Sequence, residues 1–189
     1  MNWMAHLYLS EPDPAFRIGN LLPDLVAMNS LVTLPEDFQR GIQQHRRIDA
    51  YTDSHPIVRQ SVQRVPPPFR RYGGILTDLF YDHFLARDWP DYSPELLSDF
   101  TREIYESFSL HQARLPAEAY AHLERLRSND WLSAYQEVSG VARALERISA
   151  RLKRPVNLEA AIFVLEDNYE SFHTDFRAFF PDLQIHVRH

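Results

Sequence analysis

The most constraining stretch of this chain lies near its C-terminal end, where Leu158, Ile162, Leu165, Tyr169, Phe172, Phe176 and Phe179 recur at alternating steps of four and three. That spacing keeps the apolar side chains on one helical face and demands an apolar partner surface beside it. It predicts a last long helix that begins after an Asn157 cap and packs across a bundle, with Glu166, Asp167 and Glu170 on its solvated face. The tail His186 to His189 has no such pattern and reads as disordered. Only five glycines and little strand-like alternation accompany the seam, which makes the expected fold class all-α. A chain of 189 residues is long enough for a single-domain helical bundle, here 1–189, with a sizeable core and no staples.

In chain order, Met1 to Ser10 is a short helix or extended lead-in, broken by Glu11-Pro12-Asp13-Pro14,. Pro35-Glu36-Asp37 opens a helix that runs to about Thr52, and Asp53 to Pro56 is a capped turn. Ile57 to Val65 is a short basic helix stopped by three prolines. Arg70 to Trp89 reads as one long helix with a stripe of Ile75, Leu79, Phe80, Phe84 and Leu85,. Ser93 and Pro94 form an N-cap and first helical position for a helix to about Leu110,. Leu115 to Leu126, Asp130 to Val138 and Val141 to Leu152 follow, the last closed by Lys153-Arg154-Pro155.

Chemistry-bearing residues collect in the first half. The run His45-Arg46-Arg47-Ile48-Asp49-Ala50-Tyr51-Thr52-Asp53-Ser54-His55 carries two histidines, two carboxylates and two arginines. On a helix, positions four apart differ by about 40° of rotation, so His45 and Asp49 share a face. An imidazole and a carboxylate on one face can hold a divalent cation, although alone such a pair is more often a solvated surface pair. Asp24 lies among apolar neighbours in GNLLPDLV, as a helix N-cap or as a ligand,. Asp78 and Asp82 interleave with the Ile75 to Leu85 stripe, where burial is costly unless they are paired or bound to a cation,. His83 beside them reads as a hydrogen-bonded core residue, as does His6 in its apolar setting.

With no cysteine in the chain, a metal must rest on histidine and carboxylate ligands. A net charge of -6 disfavours nucleic acid as a partner. Between Arg40 and Arg71, however, seven arginines face only Asp49 and Asp53, an asymmetry that suits an anionic substrate or an acidic protein. The first ten residues have no basic leader pattern and no 18-residue apolar run occurs, so a soluble, cytoplasmic protein without a membrane span is expected. No sequence signal speaks to the oligomeric state.

The stretches MNWMAHLYLS, GNLLPDLV, GIQQHRRIDAYTDSHPIVR and DLFYDHFLARDW resemble, in order and spacing, the acyl carrier protein phosphodiesterases. The likeness runs more weakly through Trp131-Leu132 and the Tyr169 to Pro181 helix. The resemblance implies an HD-domain-like helical fold of the metal-dependent phosphohydrolase superfamily. It also implies hydrolysis of the phosphodiester joining 4'-phosphopantetheine to the serine of holo-acyl carrier protein, with Mn²⁺ or another divalent cation. The family's functional aspartate falls on Asp24, and an acidic carrier protein accounts for the arginine tract. No histidine is directly followed by aspartate here, so the spaced His45/Asp49 pair stands in for the dyad that names that superfamily.

The mechanism expected from this resemblance has the cation held by Asp24 and some of His6, His45, Asp49, Asp78 and Asp82. Arg46 or Arg47 stabilises the phosphoryl oxygens, Arg59 belongs to the carrier-protein surface, and His55 or His83 protonates the leaving serine. The alternatives are an HD-type phosphohydrolase of nucleotides or other small phosphodiesters, and a non-catalytic helical module that binds acyl carrier protein.

Overall fold

The computed structural model describes residues 1–152 and 156–188. Eleven α-helices occupy them: α1 (Trp3–Tyr8), α2 (Pro14–Leu25), α3 (Glu36–Ser54), α4 (Pro56–Arg64), α5 (Gly73–Arg87), α6 (Leu97–Leu110), α7 (Ala117–Ser128), α8 (Trp131–Ala134), α9 (Val138–Ser149), α10 (Ile162–Asp167) and α11 (Tyr169–Arg188). No strand occurs among the described residues, and no helix there is long and apolar enough to cross a membrane.

Helix α5 is the axis of the bundle. From Leu76 to Ala86 all its side chains are buried except Asp78, which is half-buried. The sequence stripe is therefore incomplete: α5 packs on every side, and of the five stripe residues only Ile75 is exposed. The Phe172 and Phe176 seam of α11 lies against it, with Phe80 and Phe172 edge to face at 5.1 Å and Tyr81 and Phe176 at 5.5 Å.

Several boundaries differ from the sequence reading, each for a local reason. Helix α2 was not foreseen; Asp13 caps it by accepting from Phe16 N at 2.7 Å, with Pro14 at its first position,. Asp24 consequently sits in the last turn of α2 and is not an N-cap. The Arg70 to Trp89 helix is trimmed at both ends into 3-10 turns, Arg70–Tyr72 and Trp89–Asp91. Ser93 accepts from Glu95 N in a turn at 3.2 Å instead of capping a helix, and α6 starts at Leu97. The Asp130 to Val138 helix shrinks to α8, because α9 begins at Val138 and runs through Gly140. A Cβ on Gly140 would strike the Ala134 carbonyl, so this glycine allows close approach and does not break the helix,.

The last helix is two. Asn168 leaves the helical conformation and its Nδ2 donates to the Val164 carbonyl at 3.0 Å, ending α10 before α11 begins,. The apolar seam survives this break, with Leu158, Leu165, Phe172, Phe176 and Phe179 fully buried. The tail is ordered helix as far as Arg188, and His186 stacks on Tyr51 at 4.2 Å. The expected stop at Lys153 to Pro155, and His189, lie outside the described residues.

Helices α2 and α3 cross in near backbone contact. A Cβ on Gly19 would meet the Phe38 carbonyl, and one on Gly41 would meet the Phe16 carbonyl. Only glycine fits at both positions, and this contact brings the last turn of α2 onto the middle of α3.

Candidate active site

His6 of α1, Asn20 and Asp24 of α2, and His45 and Asp49 of α3 meet where the three helices converge. The two imidazoles stack face to face, centroids 4.1 Å apart and 13° from parallel. His45 Nε2 is 3.0 Å from Asp49 Oδ2 and 3.6 Å from Asp24 Oδ1, and His6 Nε2 is 3.2 Å from Asp49 Oδ1. Both rings are buried, while the Asp24 and Asp49 carboxylates are about a third exposed, at 36% and 39%. The cluster therefore opens to solvent on its carboxylate side.

Asn20, fully buried, sets both rings. Its Nδ2 donates to the His6 carbonyl and to Ser10 Oγ, each at 2.9 Å, leaving Oδ1 as an acceptor 3.0 Å from His6 Nδ1. Its backbone carbonyl lies 2.7 Å from His45 Nδ1. Because both oxygens can only accept, both Nδ1 atoms carry protons and both Nε2 atoms face the carboxylates.

That geometry is unsatisfactory without a positive charge between its members. The Nε2 of His6 is buried and has no hydrogen-bond partner, because a lone pair facing an anionic oxygen is a repulsive pair. His45 escapes by favouring its charged form: burial opposes it, but Asp49 and Asp24 more than reverse this and raise its pKa. Burial dominates at His6 and lowers its pKa, keeping it neutral. Asp49 is held well below the usual carboxylate range: burial alone would raise its pKa, but the neighbouring His45 and His6 and the Met1 ammonium more than reverse that. One ligand atom each from His6, His45 and Asp49 lies within 4.8 Å of the others, spacing compatible with one divalent cation. Two imidazoles held by their Nδ1–H groups, each offering Nε2 once His45 gives up its second proton, and an ionised carboxylate are the donor set such an ion needs.

The remaining candidates separate. Asp78 borders the cluster from α5, 3.3 Å from the Met1 ammonium, which also lies 3.4 Å from Asp49. Burial raises the Asp78 pKa despite that ammonium. Asp82 accepts from Met4 N at 2.7 Å and Ala5 N at 3.1 Å, so its carboxylate holds the first turn of α1. Burial pushes its pKa up to about 7 even against those two bonds.

His55 and His83 are not brought to the cluster. His55 lies at the α3–α4 junction, 3.5 Å from Asp182 and against Phe179. His83 bonds through Nδ1 to the Tyr135 carbonyl at 2.8 Å and through Nε2 to the Tyr169 hydroxyl at 2.7 Å. Tyr169, Arg87, Asp88 and His173 continue that network and tie the end of α5 to α11. Arg46 is exposed, its guanidinium 3.0 Å from Met28 Sδ. Arg47 points away, donating to the His186 carbonyl at 3.2 Å.

The arginine tract divides as well. Arg64 forks onto the buried Asp175 at 3.0 to 3.2 Å, and so is internal. Arg59 remains exposed, donating to the Asp53 carbonyl at 3.2 Å. It borders a cavity of about 340 Å³ lined also by Asp53, Val58, Val62, Gly74 and Asp78, which adjoins the cluster at Asp78.

A protein-family model described as acyl carrier protein phosphodiesterase matches residues 1–183. The chain belongs to the acyl carrier protein phosphodiesterase family. Among relatives bearing that name, the protein of Yersinia pestis is 30% identical over 190 residues, covering 100% of this chain and 98% of its own length. That of Enterobacter sp. (strain 638) is 32% identical over 189 residues, 100% of this chain and 98% of its own. That of Pectobacterium atrosepticum is 32% identical over 183 residues, 96% and 94% respectively. No solved structure matches the chain. Asn20 was passed over in the sequence although its signal resembles that of Asp24: both are polar residues in the same apolar run, and four positions apart they share a face of α2,.

Proposed function

We propose that this protein hydrolyses the phosphodiester between 4'-phosphopantetheine and the serine of holo-acyl carrier protein, releasing the apo-carrier and 4'-phosphopantetheine. The family membership supplies the substrate class. The observation that carries the chemistry is the buried, unpartnered Nε2 of His6, aimed with that of His45 at one carboxylate. His6, His45 and Asp49 would hold a divalent cation, Mn²⁺ in this reading, with Asp24 and Asp78 at its rim. A cation bound there supplies a water of lowered pKa and charge neutralisation for a phosphoryl oxygen.

The protein's own groups do the rest. Asn20 holds both rings by their Nδ1 atoms and so turns both Nε2 atoms toward the carboxylates. Asp24 Oδ1, on the open side 3.6 Å from His45 Nε2, is placed to accept the proton of the attacking water. The exposed Arg46, next to His45 in the chain, is the fork we assign to a phosphate oxygen,. The cavity beside Asp78, with apolar walls at Val58 and Val62 and a polar rim at Arg59, suits the mixed character of a pantetheine arm, and the exposed Arg59 suits an acidic carrier surface.

The test is intact mass spectrometry of holo-acyl carrier protein incubated with the protein, with Mn²⁺ and with excess chelator. Loss of one phosphopantetheine group in Mn²⁺ alone is expected. An unchanged carrier mass in both conditions, with folded protein, would reject the reading.

A further inference from the structure

A second cavity, about 590 Å³, lies on the other side of α3, between that helix, the end of α1 and the last turns of α11. Its position follows from helix geometry. Arg40, Gln44 and Arg47 line it and fall within about 60° of one another on α3, whereas His45 and Asp49 point roughly 140 to 180° away from Arg40. The cation cluster and this cavity are therefore back to back.

Its lining is mostly polar and of one sign. Arg40, Arg47 and Arg188 contribute three guanidinium groups against the single carboxylate of Glu11. Arg40 and Glu11 pair at 2.5 Å, but both are more than half exposed, and such a pair yields readily to a competing anion. Arg47 spends one of its donors on the His186 carbonyl. Gln44, largely buried, adds an amide to the lining from α3. An excess of two positive charges, forked donors from both α3 and α11 and an amide between them are what a dianionic phosphate monoester requires.

We infer that this cavity is an anion site for a phosphate-bearing small molecule, separate from the cation cluster. It is also wired to that cluster. Ser10, on the cavity wall, donates to the His6 carbonyl at 2.8 Å and accepts from Asn20 Nδ2 at 2.9 Å. Asn20 in turn holds the His6 ring. An anion that draws Ser10 Oγ toward itself therefore acts on the amide that orients a candidate cation ligand.

The site is tested on chelator-treated protein by following the side-chain amide resonances of Gln43 and Gln44 while inorganic phosphate is added. Saturable shifts are expected, weakened at least tenfold in the double variant Arg40→Gln/Arg188→Gln. Both replaced side chains are exposed, so the variant should keep the fold, which circular dichroism checks. Asp49→Asn should bind phosphate as the wild type does, and Gln44→Leu should weaken binding without altering surface charge. Shifts that never saturate, equal binding by the double variant, or shifts lost in Asp49→Asn each overturn the assignment. The readout involves no turnover, so its failure leaves the phosphodiesterase reading untouched, and the reverse holds.

Discussion

Replacing Asn20 by alanine tests whether the paired histidines form a built cation centre. The substitution removes the acceptor of His6 Nδ1 and the donors to the His6 carbonyl and Ser10. The His6 carbonyl keeps its 2.8 Å bond from Ser10 Oγ, so the main cost is one buried imidazole N–H left without a partner. That costs about 1–3 kcal/mol, or a fall in melting temperature of roughly 4–8 °C at the midpoint of that range for a chain of this size. The same loss frees the His6 ring to rotate or change tautomer, and removing a partner that orients a metal-bound histidine typically weakens binding about 10–100-fold. Isothermal titration with Mn²⁺ and calorimetric melting in chelator measure the two effects separately. Asn20→Asp keeps the acceptor while losing both donors, so its Mn²⁺ affinity should stay nearer the wild type than that of Asn20→Ala. If both variants bind Mn²⁺ as tightly as the wild type, the stacked histidines are packing residues and the argument fails.

Other outcomes follow from the same structure. Asp24→Ala should abolish turnover of holo-carrier protein while leaving helical circular dichroism intact; retained activity would remove Asp24 from the site. Gly41→Ala forces α2 and α3 apart at the Phe16 carbonyl, so stability should drop by roughly 1–3 kcal/mol and Mn²⁺ affinity should fall with it, whereas a drop in stability alone would uncouple that crossing from the site. Arg64→Ala strands the buried Asp175 and should cost roughly 3 kcal/mol without changing carrier-protein affinity, while Arg59→Glu should weaken that affinity and leave the melting temperature unchanged; surface plasmon resonance and calorimetry separate the two. At Asp88, burial alone would raise the pKa, but Arg87 and His173 more than reverse it and leave it lowered. The carboxylate therefore stabilises the fold above its unfolded pKa near 4, and that contribution disappears as pH falls through the lower folded value. Urea titrations of Asp88→Asn below pH 4 should show a shallower acid loss than the wild type, and parallel curves would refute it.

Periodicity and composition were enough to foresee an all-helical chain, since a seam at steps of four and three and a poverty of glycine act through local geometry. The start of α3 at Pro35-Glu36-Asp37 was legible for the same reason, and the His45/Asp49 pair followed from it, because residues four apart on one helix must be neighbours. The ends of elements were read less well. Asn157 does accept from Ala160 N at 3.4 Å, as a cap would, but Ser93-Pro94 forms only a turn, and Asn168 ended a helix by bonding to a carbonyl, an event that no propensity displays. Gly140, left between two expected helices, lies inside α9 as a contact point with the Ala134 carbonyl.

The site itself divides along the same line. Residue types alone determined that any metal must rest on histidine and carboxylate, and local spacing put His45 beside Asp49. Only the tertiary structure decided that His6 stacks on His45, that Asp82 holds the start of α1, that His83 and Arg64 face inward to other partners, and that Arg47 looks into a separate cavity. Those choices depend on how closely α2 and α3 approach at Gly19 and Gly41 and on burial around the whole circumference of α5. A sequence records which side chains share a helical face, but the helix that will lie against that face is set by packing between residues far apart in the chain.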